Sequence, residues 1–255
     1  MQTRIVPIQR NGIETTDAVV VEEPLEIRVG EKAVSVTLRT PGADFDLAAG
    51  FLFTEAILTN RDDIESMRHW GSPNVVRVAL RDGVTVDLQR LQRHFYATSS
   101  CGVCGKASID ALRVAVAPIE DDIRVASALL MTFPDILRSH QTAFDVTGAI
   151  HGAAIFTREG ELLRVREDIG RHNAVDKVIG SLFLDGTHAD ILVVSGRTSF
   201  EIVQKCATAR IPILAAVGAP SSLAIELARE FGITLLGFVR GDRANVYAGE
   251  SRLSS

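Results

Sequence analysis

Cysteine is scarce in this chain, with three residues in 255, and the count is odd. Scarcity and parity together argue against a disulfide framework and point to metal binding or thiol chemistry in a reducing compartment. Positive charge is also in short supply. With 27 Lys and Arg against 32 Asp and Glu the formal net charge is -5, so no overall field exists to hold a polyanion, and nucleic acid is excluded as the main partner. Long apolar runs are missing. The longest, ILVVSG at 191–196 and IPILAAVG at 211–218, fall far short of the ~20 residues that span a bilayer. The opening MQTRIVPIQRNGIETTD lacks the apolar core and cleavage site of a secretory signal, which predicts a cytoplasmic protein without a membrane partner. No internal repeat or low-complexity segment interrupts the sequence.

A hydrophobic content of 46% supplies enough apolar side chains for a sizeable core. From about 17 to 100 the pattern favours strands: VVVEEPLEIRVG, KAVSVTLRT, and VVRVALRDGVTVDL with Asp82-Gly83 as a tight hairpin turn. One helix stands out there, FDLAAGFLFTEAIL, preceded by the loop and cap Thr40-Pro41-Gly42-Ala43-Asp44. From 124 onward helices and strands alternate: VASALLMTFPDILRSH, HGAAIF, ELLRVRE, HNAVDKVIGSLF, ILVVSG, FEIVQKCATAR, ILAAVG, SLAIELAREFG, TLLGFVRG and a last short strand. That alternation predicts a sheet with parallel central strands and helices on its faces. The expected organisation is a small α+β domain over 1–98, a Cys-x-x-Cys loop with a connecting helix over 99–123, and an α/β domain over 124–255.

The segment TSSCGVCGK places Cys101 and Cys104 two residues apart on a loop. Structural zinc needs four ligands, and a second Cys-x-x-Cys is absent. Cys206 lies at a helical position and reads as a small buried apolar residue. Zinc shared between two copies at a dimer seam, or held with His94 or His151, stays as the alternative: a non-catalytic binding module. A thioredoxin-type couple fits poorly, because a serine-rich loop joining two domains replaces the strand and long helix it needs. The neighbours suit a thiolate. Small residues leave sulfur accessible, and Lys106 and the amides at the start of ASIDALRV lower a cysteine pKa. Such a thiolate can accept sulfur as a persulfide and pass it on.

Further along, VVSGRTSFE and AVGAPSSLAIE place Ser195, Gly196, Arg197, Thr198 and Ser199, then Gly218, Ser221 and Ser222, where strands feed helix N-termini. Such ends hold anions through free amides, and ligands gather at the carboxyl ends of strands. Neither segment matches a dinucleotide fingerprint or a P-loop. A third polar stretch, EDIGRHNAVDKVIG, crowds Glu167, Asp168, Arg171, His172, Asn173, Asp176 and Lys177 at one helix start. The last long strand leads into Phe238, Val239, Arg240, Gly241, Asp242 and Arg243, where two arginines could pair with phosphates and a carboxylate could accept both edge donors of guanine.

In this order the motifs VTLRTPGADFDLAAGFLFTEAI, HFYATSSCGVCGK, EDIGRHNAVDK, SGRTSFEIVQK, GAPSSLAIELA and GFVRGDRANVY resemble the formate dehydrogenase accessory sulfurtransferase family over nearly the whole chain. The resemblance implies a persulfide on Cys101 supported by Cys104, sulfur received from a cysteine desulfurase, and delivery to formate dehydrogenase. It also implies that the molybdenum bis(molybdopterin guanine dinucleotide) cofactor is bound as cargo through Phe238 to Arg243, with GDP as a fragment mimic. A homodimer and a second domain with a three-layer, cytidine-deaminase-like fold are implied too. Where the family tends to read Thr-Gly-Gly-x-His-Ala-Ala, this chain has Thr147-Gly148-Ala149-Ile150-His151-Gly152-Ala153-Ala154. Zinc deamination is ruled out by chemistry, because Ala153 stands where a deaminase carries its glutamate and Pro-Cys-x-x-Cys is missing.

Overall fold

The computed structural model describes residues 2–86 and 116–254. Cys101, Cys104, Lys106, His94, the connecting helix expected at ASIDALRV and the far end of the strand expected through Leu88 lie outside the described residues.

The chain begins with a hairpin that the periodicity reading passed over. Strands β1 (Thr3–Arg10) and β2 (Ile13–Val20) pair antiparallel with Arg10 opposite Ile13. Asn11 and Gly12 make the turn at φ 55° and 81°, the conformation that an Asn-Gly pair adopts at little steric cost and that matches strand twist. Next come β3 (Glu23–Val29), β4 (Lys32–Arg39), helix α1 (Asp44–Thr54), β5 (Ile64–His69) and β6 (Val75–Leu80). These four strands form one sheet in the order β4-β3-β6-β5. Its inner face buries Leu25, Ile27, Val76 and Val78 against Leu47, Ala48 and Leu52 of α1. Asp82-Gly83 turns as expected, with Gly83 at φ 83°, but the return strand is not seen through residue 86.

The second unit runs through β7 (Val125–Ala126), α2 (Ser127–Ser139), α3 (Thr142–Thr147), β8 (His151–Phe156), β9 (Leu162–Asp168) and α4 (Arg171–Asp185). It continues with β10 (Ile191–Val194), α5 (Phe200–Thr208), β11 (Ile213–Ala216), α6 (Ser222–Glu230), β12 (Thr234–Arg240), β13 (Arg243–Ala248) and β14 (Leu253–Ser254). Six strands form a sheet in the order β13-β12-β11-β10-β8-β9, with β10, β11 and β12 parallel and the outer pairs antiparallel. Alternate residues face opposite ways. Leu192, Val194, Leu214 and Leu235 pack on α4, α5 and α6, while Ile191, Val193, Ile213 and Leu236 pack with Leu130, Phe133 and Leu137 of α2. Burial on both faces explains why these strands read as continuous apolar runs in sequence.

The two units meet backbone to backbone. Gly50 of α1 lies on α4 so closely that a Cβ there would fall 1.9 Å from the Asp176 carbonyl oxygen, and a Cβ at Gly180 would fall 1.8 Å from that of Asp46. Polar groups close the same seam. Lys205 reaches across from α5 to Asp176 (2.9 Å), Glu55 (3.1 Å) and the Thr54 hydroxyl (2.8 Å). Burial alone would lower the Lys205 ammonium, but Asp176 and Glu55 outweigh it and hold it above the ordinary lysine range. Cys206 is fully buried with its thiol donating to the Ile211 carbonyl at 3.3 Å, and burial pushes its pKa up. Among the described residues no helix is long and apolar enough to cross a membrane.

The glycine crossing makes a testable demand. Gly180→Ala forces the helices apart and should lower unfolding stability by about 1–3 kcal/mol or more, the range for overpacked cores. A urea midpoint equal to that of the parent chain would contradict the crossing.

Candidate functional site

Four segments converge on one edge of the six-stranded sheet: the ends of β10, β11 and β12 and, because β8 runs antiparallel to β10, the start of β8. Backbone hydrogen bonds join the loops. Gly218 N donates to Gly196 O (3.1 Å), Thr198 N to Ala219 O (3.1 Å), Ser221 N to Thr198 O (3.0 Å) and Phe238 N to Gly218 O (3.1 Å). The 195–199 and 218–222 segments therefore form one surface. Gly218 permits this approach, since a Cβ there would lie 2.7 Å from the Gly196 carbonyl oxygen.

The two helices that start here are finished differently. Ser221 caps α6 by accepting from Ala224 N at 3.2 Å. Ser199 occupies the same position on α5 but makes no cap bond; its hydroxyl meets His172 Nε2 at 3.1 Å instead. The same nitrogen lies 2.8 Å from Glu201, and this contact holds the Glu201 carboxyl below the usual range. Ser222, the first residue of α6, is exposed beside Ser221.

The polar run at 167–177 divides by role. Glu167 accepts from the backbone N–H groups of Ala143 and Phe144, both at 2.9 Å, and so closes the start of α3. Asp168 accepts from Thr40 N (3.1 Å), Gly170 N (2.8 Å) and Asn173 Nδ2 (3.0 Å) and pairs with Lys177 at 2.7 Å. Asn173 also donates to the Leu38 carbonyl at 2.8 Å, Lys177 to that of Thr40 at 2.8 Å, and Asp176 belongs to the Lys205 seam. Four of the seven, Asp168, Asn173, Asp176 and Lys177, thus fasten the two units together. Of the other three, Glu167 ties β9 to α3 within the second unit, whereas Arg171 and His172 are partly exposed.

Beside this edge lies a cavity of about 650 Å³. Leu137, Phe144, Ile150 and Val239 give it apolar walls; Arg138, Gln141, His151, Ser195 and Arg240 supply polar groups. Arg138 is held by Asp145 at 2.6 Å and lies over the Phe144 ring, 4.5 Å from its centroid. His151 sits where cavity and loops meet. Burial, with the positive charge of Arg171 and Arg197, holds its imidazole below the ordinary range. Among the described residues no cluster of three or more His, Cys, Asp or Glu side chains could hold a metal ion.

Of the residues expected from sequence, Ser195, Val239, Arg240 and Gly241 line the cavity, whereas Gly196, Arg197, Thr198, Ser199, Gly218, Ser221 and Ser222 form the adjoining loop surface. Phe238 is 43% exposed and held at φ 54°, an uncommon conformation for a bulky side chain. Asp242 and Arg243 are exposed on the turn into β13 and do not line the cavity. Sequence reasoning missed Arg138, Gln141 and Phe144. They come from the end of α2, the connection that follows it and the short α3, a segment that carries no motif, and only its folding over the strand ends brings them here.

With this geometry in place, the comparisons are consistent along the length of the chain. The model of the FdhD/NarQ family matches residues 20–254. The chain belongs to that family. It is 47% identical over 266 residues to the sulfur carrier protein FdhD of Streptomyces avermitilis, covering 98% of this chain and 94% of the relative. It is 50% identical over 255 residues to the sulfur carrier protein FdhD of Mycolicibacterium paratuberculosis, covering 95% and 94%. A crystal structure from Desulfotalea psychrophila, described as a formate dehydrogenase accessory protein, superposes with a TM-score of 0.78 at 25% identity over 99% of this chain and 98% of that one. These matches extend across the cavity, the loop surface and the segment that contains Cys101 and Cys104.

The electrostatics at His151 yield a measurable consequence. A lowered imidazole pKa means that the folded chain binds this proton more weakly than the unfolded chain. Between the folded value and the ordinary value of about 6.5, stability therefore rises with pH, and the contribution is lost as pH falls. An NMR titration should place His151 below the ordinary value, and Arg171→Gln should move it upward. A His151 resonance that titrates above 6.5, or that ignores the substitution, would contradict the arrangement.

Proposed function

We propose that this protein is a sulfur carrier that serves the maturation of formate dehydrogenase. Its described surface receives the molybdenum bis(molybdopterin guanine dinucleotide) cofactor as cargo, and Cys101 handles the sulfur. The observation that carries this reading is convergence: an apolar cavity, a stitched pair of helix-start loops and the cations Arg171, Arg197 and Arg240 share one edge. A nucleotide-bearing cofactor needs that combination, with a slot for a flat ring beside donors and positive charge for phosphates. Membership of a family whose relatives are named sulfur carriers supports the sulfur chemistry.

The transfer balances without an outside oxidant. The Cys101 thiolate attacks the terminal sulfur of a persulfide on a cysteine desulfurase. A sulfur–sulfur bond forms on Cys101 as the bond to the donor cysteine breaks, and that cysteine leaves as a thiolate. Cys104 supports the loaded sulfur by exchange. The cofactor is then held against the loop surface, with Ser195–Ser199 and Gly218–Ser222 beside its phosphates and Arg240 and Arg243 adding charge. We infer in addition a homodimer, whose two-fold interface would shelter the thiols, and a cytidine-deaminase-like layering for residues 124–255. Both follow from the family resemblance.

Two measurements test the parts separately. After incubation with a cysteine desulfurase and cysteine, mass spectrometry should find one added sulfur atom on Cys101. Cys101→Ala should abolish loading and Cys206→Ala should leave it unchanged; undiminished loading of Cys101→Ala would remove that residue from the mechanism. For the cargo site, calorimetry should show GDP binding, weakened tenfold or more when Arg240 and Arg243 are both replaced by Ala, since one charged hydrogen bond contributes about 1.5–3 kcal/mol. An unchanged affinity would move the phosphates away from this segment.

A further inference from the structure

We propose that the cavity beside the strand ends is a slot for the 2-amino-4-oxopyrimidine ring that is fused into both guanine and pterin, and that Gln141 and Ser195 recognise its oxo group. The proposal rests on the reading of this edge as a cofactor site and adds to it which chemical end enters the cavity and what selects it.

Gln141 is the observation that calls for a ligand. It lines the cavity, is 3% exposed, and its Nε2 has no hydrogen-bond partner among the described residues. A buried amide donor left unpaired is costly, and native structures rarely retain one without a use. Gly152 makes room for it: a Cβ there would lie 2.7 Å from both Cδ and Nε2 of Gln141. The carboxamide turns about its last bond in a broad, shallow well, so its hydrogens reach the cavity without movement of the main chain. Ser195 stands against the same glycine. Its hydroxyl oxygen accepts from Gly152 N at 2.9 Å, which uses a lone pair and leaves its own proton to donate.

Two donors flanking one backbone position in a mostly apolar wall match a carbonyl-type acceptor on a flat ring. Guanine and pterin carry an oxo group on the pyrimidine ring where adenine carries an amino group, which would set donor against donor. Asp242, the residue whose charge suggested base reading from sequence, is exposed on the β12–β13 turn and does not line this cavity.

Calorimetry on the full chain with GDP, ADP and 6-carboxypterin tests the slot. The parent should bind GDP at least tenfold more tightly than ADP. Gln141→Leu should weaken GDP about tenfold and leave ADP unchanged, erasing the preference. Its thermal midpoint should hold or rise, because an unpaired buried polar group has been removed. Ser195→Ala reads the same preference if the leucine variant does not fold. If the substitutions weaken 6-carboxypterin and spare GDP, the pterin end occupies the slot and the shared-ring assignment stands. If GDP and 6-carboxypterin both bind and neither responds to either substitution, the slot assignment is wrong while the cofactor reading survives. If the parent chain binds neither probe, the cofactor reading itself falls and takes the slot with it.

Discussion

The contact between Gly50 and Gly180 sets the geometry of the whole molecule. With no side chain at either crossing point, α1 and α4 approach until backbone atoms touch, and two sheets that share no strand become one body. Interiors are packed to crystal-like density, so a fixed helix crossing also fixes what lies at either end of the helix. For α4 that matters directly. Its first residues are Arg171 and His172, and their position relative to the strand ends follows from where Gly180 sits on α1.

Charges buried beside the crossing refine that position. Lys205, Asp176 and Asp168 are almost wholly removed from water. Burying them is costly unless each finds partners, and here the partners come from both units. Thr54 and Glu55 serve Lys205, while Thr40 and Asn173 serve Asp168. A seam built this way resists sliding, because any shift of α4 against the first unit leaves a charge unpaired. Rigidity at the seam suits an edge that must hold loops and cations within hydrogen-bonding tolerance of a ligand.

That edge separates two kinds of work. The cavity under α2 and α3 is apolar apart from a few polar groups, and it suits a ring that gives up water. The loop surface over α5 and α6 is made of backbone amides and cations, and it suits charge that stays partly hydrated. His151 belongs to both, lining the cavity while feeling Arg171 and Arg197. A ligand with an aromatic end and an anionic middle can therefore lie across the boundary without exchanging environments.

Much of this was determined by the sequence alone. The alternation of apolar strands and amphipathic helices after residue 124 dictated the central parallel strands, because period and burial follow from the chain's own pattern. The glycine, serine and threonine residues after β10 and β11 marked the loops for the same local reason, and the helical position of Cys206 marked it as core. The Asn11-Gly12 hairpin was passed over, although an Asn-Gly pair is a local turn signal. Tertiary structure decided the rest. Only the docking of α1 on α4 turned four residues of the 167–177 run into fasteners and left Arg171 and His172 for the edge, since partners such as Thr40 and Thr54 lie more than a hundred residues away. Only the closure of α2 and α3 over the strand ends made a cavity and gave it Gln141. A carboxamide in a helix-to-helix connection carries no pattern of its own, and its meaning comes from the glycine and the void that the following strand places beside it.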